Sequence, residues 1–186
     1  VVMEHGAAVC RPAQLAEACA RKFLTGKSQP GDASIGRDGG VVGLEHLAAL
    51  RARIEVEGSC NLLAPFELDV EQGDWPCDAD SFDAVYTANT LHIVSWPQVQ
   101  ALFRGVGRVL RDEGLLIVYG PFRYSGQFTS HSNAVFDEAL RSSDPLSGIR
   151  DFEAVDALAA AQGLRLVEDC AMPANNQTLV WRRART

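Results

Sequence analysis

Apolar and polar positions along this chain repeat with two periods, and the switches between them outline the elements. Val1 to Glu4 is a short apolar run of strand type, closed by Gly6. "AQLAEACARKFL" sets Leu15, Ala18, Cys19 and Phe23 on one helical face, with Pro12 suited to a first turn. "GKSQPGDASIGRDGG" is rich in glycine and reads as a weak strand and loop. In "LEHLAALRARIEVEG" the spacing of Leu44, Leu47, Ala48, Leu50 and Ile54 predicts a helix that Gly58 stops. "LLAPFELDV" predicts a strand, which Pro65 assigns to an edge or a late start.

The second half carries sharper periods. Phe82 to Ala88 predicts a buried strand after a polar turn. "PQVQALFRGVGRVLRDEG" predicts a helix with Pro97 near its start and Gly114 at its end; Val99, Leu102, Phe103, Val106, Val109 and Leu110 share one face. "LLIVYGPF" is continuously apolar, as in a strand covered on both faces. Helices are predicted in "SNAVFDEALRSS" and "FEAVDALAAAQG", then strands in "LRLVEDCAM" and "QTLVWRR", with a turn at "PANN". Alternating strands and helices predict an α/β fold: a mostly parallel sheet with helices on both faces, and an antiparallel strand near one edge. No repeat or linker interrupts residues 1–186, which read as a single domain.

Composition narrows the classes. With 47% hydrophobic and 22% charged residues in 186, the chain has the balance of a globular domain with a sizeable core. No apolar run approaches the roughly 20 residues of a membrane span. The opening is broken by Glu4, His5 and Arg11 and does not read as a leader, so a cytoplasmic protein is expected. A net charge of -7 disfavours nucleic acid as a partner, and the basic tail "WRRART" reads as a solvated strand end. Cys10, Cys19, Cys60, Cys77 and Cys170 are odd in number and form no C-x-x-C pair, which predicts reduced thiols. His5, His46, His92 and His131 lack metal-ligand spacing, so no metal is expected.

In an open α/β sheet, ligands bind beyond the carboxyl ends of the strands. The residues there are Glu4 and Gly6 after the first strand, Asp32 after the second and Asp69 after the third. Asn89 and His92 follow the fourth, and Tyr119, Gly120 and Pro121 close the fifth. A carboxylate after the second strand can accept hydrogen bonds from both hydroxyls of a ribose, which gives Asp32 a specific role. Each residue also has a plainer reading. Asp32 suits a turn in "QPGD", Asp69 a cap on "EQGDWP", Asn89 a turn or helix cap, and His92 a half-buried packing position. Singly the plain readings prevail; together, at successive strand ends, the set points to a nucleoside pocket.

Three stretches carry a family resemblance: "FDAVYTANTLHIVSWPQVQALFRGVGRVLRDEGLLIVYGPF", "SNAVFDEALRSSDPLSGIRDFEAV" and "MPANNQTLVWRR". Together they resemble domain of unknown function 938, a branch of the class I S-adenosylmethionine-dependent methyltransferase-like proteins. The likeness runs from about Leu62 to Arg183 and is looser before that. It implies a three-layer Rossmann-like methyltransferase sheet and S-adenosylmethionine as cofactor. It also implies Glu4 and Gly6 in the first cofactor loop, Asp32 on the ribose, Asp69 near the adenine amine, and Asn89 and His92 near the reactive methyl. Tyr119, Asn133, Asp137, Asn175 and Asn176 fall in family-typical segments without a derived role.

The chain departs from the family in three places. Ala7, Ala8, Val9, Cys10 and Arg11 follow Gly6 where a glycine-rich turn is usual, and side chains there crowd a cofactor. The sequence given starts almost at the first strand, so the customary N-terminal helix is expected to be lacking, and Ser147 stands where a tryptophan is expected. Two functions are therefore in play. One is methyl transfer from S-adenosylmethionine to a small molecule, with His92 or Tyr119 as the base if the acceptor must lose a proton. The other is a methyltransferase-like fold that has lost its cofactor and serves as a binding module, its uncovered apolar surface favouring a homodimer. A nicotinamide-dependent dehydrogenase is disfavoured, since G-x-G-x-x-G is absent.

Overall fold

The computed structural model describes residues 8–10, 51–52, 55–56, 68–73 and 75–185. Among these residues the frame is a five-stranded sheet in the order β1-β2-β3-β8-β7. These are β1 (Ala8–Cys10), β2 (Phe82–Ala88), β3 (Leu110–Gly120), β7 (Leu164–Met172) and β8 (Asn176–Arg183). The β2–β3 pair is parallel, whereas β1–β2, β3–β8 and β8–β7 are antiparallel. Among the described residues the sheet is therefore mixed, and the expected preponderance of parallel strands is not found there. Arg51, Ala52, Glu55 and Val56 are helical and exposed, within the helix predicted from Leu44. The expected strand at Val1 to Glu4 and the helix in "AQLAEACARKFL" lie outside the described residues, as do the loop after it and most of "LLAPFELDV".

Helix α1 (Trp96–Val109) begins where a capping box dictates. The Gln98 amide donates to Ser95 Oγ at 3.4 Å, and Gln98 Oε1 accepts from the Ser95 amide at 2.9 Å. Its buried stripe of Val99, Leu102, Phe103, Val106 and Val109 is the one the period predicts. The helix ends at Val109, earlier than Gly114, because Leu110 turns extended and pairs with Phe82. Pairing then resumes at Ala84 with Leu115, leaving 111–114 looped out. A side chain at Gly114 would meet the Arg111 carbonyl at 2.8 Å, so this close turn needs glycine.

Register shows which face is covered. Val85, Leu116 and Trp181 stand side by side and are buried, as are Val118 and Leu179. Helices α1 and α3 (Phe152–Ala161) pack on this face. Trp181 meets Phe103 edge-on at 6.2 Å and donates its indole N–H to Asp156 Oδ1 at 2.8 Å, which satisfies its one polar group. The alternate residues Leu115, Ile117 and Val180 are half-buried. "LLIVYGPF" is thus fully buried on one face only, which corrects the expectation of two covered faces.

Between β3 and α3 lies a segment with its own small sheet, in the order β5-β4-β6. It comprises β4 (Phe122–Tyr124), β5 (Gln127–Phe128) and β6 (Arg150–Asp151), with helix α2 (His131–Ser143) between β5 and β6. Such short strands show no period of their own, and the sequence did not announce them. The turn at "PANN" is real: Pro173–Asn175 make one 3-10 turn, with Ala174 and Asn175 in the left-handed region at φ 59°.

Candidate functional site at the strand ends

Strands β2 and β3 run parallel, so Asn89 and Gly120 leave the sheet at the same rim. The antiparallel β8 starts at that rim with Asn176, and β7 ends there with Met172. Asn89 sits in the left-handed region (φ 54°), which Asn tolerates better than most residues, and donates its amide to the Tyr119 carbonyl at 2.8 Å. The turn carries the chain away from the sheet and back over it, which buries His92.

Asn89, His92 and Gly120 meet. A Cβ on Gly120 would lie 3.6 Å from His92 Nδ1 and 3.9 Å from Asn89 Oδ1. The missing side chain thus leaves a methyl-sized gap flanked by two polar atoms. His92 packs edge-on to Phe136 of α2, with ring centres 5.4 Å apart. Tyr119 points to the other face of the sheet, where its hydroxyl accepts from Asn176 Nδ2 at 2.9 Å.

Two of the family-typical segments close over this rim. Asn133 is buried and donates from Nδ2 to Thr129 Oγ1 and to the Asn175 carbonyl, both at 2.9 Å. Asn175 Nδ2 donates in return to Ser132 Oγ at 3.1 Å. Asp137, also buried, accepts from Arg141 Nε at 2.7 Å and from the Ile149 amide at 2.6 Å. These contacts give Asn133, Asp137 and Asn175 definite duties in holding the cover together.

The loop between Leu146 and Arg150 supports the turn that carries His92. Four successive carbonyls are taken in order. Leu91 accepts from Arg150 Nε at 2.8 Å and His92 from the Gly148 amide at 2.8 Å. Ile93 accepts from Ser147 Oγ at 2.5 Å, and Val94 from the Arg150 guanidinium. Sequence reading noted Ser147 only as a departure from the family pattern, yet its hydroxyl is one of these supports.

Asp69 does what its plain reading predicted. Its carboxylate accepts from the Glu71 amide at 2.9 Å and from Gln72 Nε2 at 3.2 Å, and so caps its own turn. Glu71 ties that turn to the start of α1 through Gln98 Nε2 at 3.3 Å. Glu4, Gly6 and Asp32 lie outside the described residues.

The architecture matches solved methyltransferases. S-adenosylmethionine-dependent methyltransferase SibL, in its apo form, superposes with a TM-score of 0.62 at 20% identity, over 76% of this chain and 42% of that one. PigF with SAH gives 0.62 at 15% identity, over 75% and 46%. An O-methyltransferase family 2 protein from Planctomyces limnophilus, in complex with apigenin, gives 0.64 at 19% identity, over 76% and 42%. The fold is that of the class I S-adenosylmethionine-dependent methyltransferases, and the chain spans under half the length of each of these three proteins. The chain belongs to the family described as Protein of unknown function (DUF938), which it matches over residues 43–183.

Proposed function

We propose that this chain is an S-adenosylmethionine-dependent methyltransferase acting on a small-molecule acceptor. The observation that carries the reading is the gap over Gly120, which brings His92 Nδ1 and Asn89 Oδ1 together beyond the ends of two parallel strands. That is where ligands sit in open α/β sheets, and the solved structures that share the fold include one with SAH. The residues present fit such a group. Asn89 is exposed and offers an amide, Asp69 keeps lone pairs beyond its two turn contacts, and among the described residues the atoms nearest a Cβ on Gly120 stand no closer than 3.6 Å.

When bound, the cofactor supplies an electrophilic methyl on its sulfonium sulfur. The chain's own contribution is orientation and proton handling. In this reading Glu4 and Gly6 hold the cofactor loop, Asp32 the ribose and Asp69 the adenine amine, with Asn89 beside the reactive methyl. His92 accepts the acceptor's proton, its backbone held by Gly148. Tyr119, whose hydroxyl accepts from Asn176 on the opposite face of the sheet from the Gly120 gap, leaves His92 as the base at the acceptor.

Calorimetric titration of the chain with S-adenosylmethionine and S-adenosylhomocysteine tests this. A saturable heat with micromolar affinity is expected. No heat and no thermal shift at millimolar ligand would remove the activity and leave a methyltransferase-like binding module.

A further inference from the structure

We propose that the cleft between Arg123, Arg141 and Arg150 binds a small oxyanion group, a carboxylate or a phosphate, beside the strand-end rim. The cleft has a volume of about 190 Å³ and is walled by Trp96, Ile149 and Ala154 as well as the three arginines and Asp151. That is well beyond the ~10–15 Å³ that a single ordered water needs.

Its lining is lopsided in charge, with three arginines and one aspartate. Arg123 is paired with Asp151 at 2.6 Å, and Arg141 with Asp137 at 2.7 Å. Asp137 spends its other oxygen on the Ile149 amide. Among the described residues Arg150 meets no carboxylate within hydrogen-bond distance: its guanidinium donates to the main-chain carbonyls of Leu91, Val94 and Leu146. Asp144 is near, but its carboxylate turns to the Leu146 amide at 2.9 Å and the Ser147 hydroxyl at 3.5 Å. Three guanidiniums line the cleft against one lining carboxylate, Asp151; Asp137 and Asp144 bring the surrounding charge back towards balance, so the positive excess is confined to the lining itself. Burial, and then the charge of Arg141, push the Arg150 pKa down, with Arg123 adding to the effect and Asp137 and Asp144 opposing it. An entering anion offsets that mutual repulsion.

The donors also have capacity to spare. Among the described residues, Arg123 Nε is buried without a hydrogen-bond partner, as is Oδ1 of its ion-pair partner Asp151, and Arg141 donates only through Nε. Arginine's planar fork suits oxyanions, and such contacts are stronger than neutral ones. Helix α3 starts at the cleft, and its N-cap Asp151 gives its carboxylate to Arg123 rather than to the helix amides. The positive end of the helix therefore adds to the field. This inference rests on the methyltransferase reading for its purpose: an acidic group held here, next to the turn that carries His92, would tether the methyl acceptor at the rim.

The test titrates the full chain with sodium phosphate and, separately, sodium acetate at constant ionic strength, followed by calorimetry. Saturable binding of one or both is expected, and which salt binds assigns the site to a phosphate, a carboxylate or either. Arg141→Gln, whose side chain is 44% exposed, keeps an amide that can still donate to Asp137 and, once its melting temperature has shown it folded, should weaken binding at least about tenfold, the loss of one charge-assisted contact. Arg150→Lys, checked for its melting temperature, should do the same. No saturation at tens of millimolar, or affinity unchanged in both variants, overturns the proposal. Cofactor titration of the same preparation separates the two readings. Cofactor heat without oxyanion binding removes only this site, whereas oxyanion binding without cofactor heat removes methyl transfer.

Discussion

Asn133 donates its side-chain amide to the carbonyl of Asn175, 42 residues further along the chain, at 2.9 Å. The bond joins helix α2 to the turn between β7 and β8, two segments with nothing local in common. Asn133→Asp keeps the shape and sets an acceptor against that carbonyl. A buried polar group left without its partner costs about 1–3 kcal/mol. The variant should lose that much stability in urea unfolding, and more than Asn133→Ala. Equal values for the two variants would mean that the bond carries no specific stabilisation.

Trp75 presses on Gly105 of α1. A Cβ there would run into the indole ring, and Arg108 holds the segment down by donating to the Trp75 and Cys77 carbonyls at 2.9 Å. Gly105→Ala therefore overpacks a buried contact and should cost about 1–3 kcal/mol. In a Trp75→Phe background the same substitution should cost less, because the two sites are in contact. Strict additivity in that cycle would show that the indole is not what excludes the methyl.

Gly120→Ala tests the gap at the rim. The added methyl makes ordinary contacts, 3.6 Å from His92 Nδ1 and 3.9 Å from Asn89 Oδ1, so the melting temperature should barely move. Affinity for S-adenosylmethionine should fall at least about tenfold, or 1.4 kcal/mol. Unchanged affinity in a well-folded variant would place the ligand elsewhere.

Tyr124 predicts an alkaline limb. Its pKa is raised, by burial first and then by the hydrogen bond its hydroxyl donates to Asp169 at 2.9 Å. The charges of Asp169 and Glu153 add to the shift. The folded value lies above the unfolded one, so this stabilisation is fully present below the ordinary phenol value of 10.0 and is lost as pH rises through the folded value. Tyr124→Phe keeps the stacking on Phe152, whose ring centre is 5.2 Å away, and should flatten the decline in melting temperature above pH 10.0. An alkaline limb of the same slope in the variant would assign the titration to another group.

Most of the secondary structure after Phe82 was legible in order, because each long element buries a stripe or an alternating face and so imposes a period on its residues. Helix α1 shows this, with Ser95 and Gln98 marking its start and Val99 to Val109 its buried side. The same holds for β7 and β8 around "PANN". The strand-end logic also pointed to Asn89 and His92 as neighbours of the rim, since both follow a strand directly. Periodicity stopped where elements are too short to have one, as in the small β5-β4-β6 sheet.

Pairings between distant segments were decided by the tertiary structure alone. The support of four carbonyls by Ser147, Gly148 and Arg150 leaves no local trace, because a main-chain acceptor can be met by any donor that the fold delivers. The same is true of the gap over Gly120 and of the grouping of Arg123, Arg141 and Arg150, which come from three separate elements. Which residues are apolar, and at what spacing, is a property of the chain. Which charges and amides face one another depends on how its layers close.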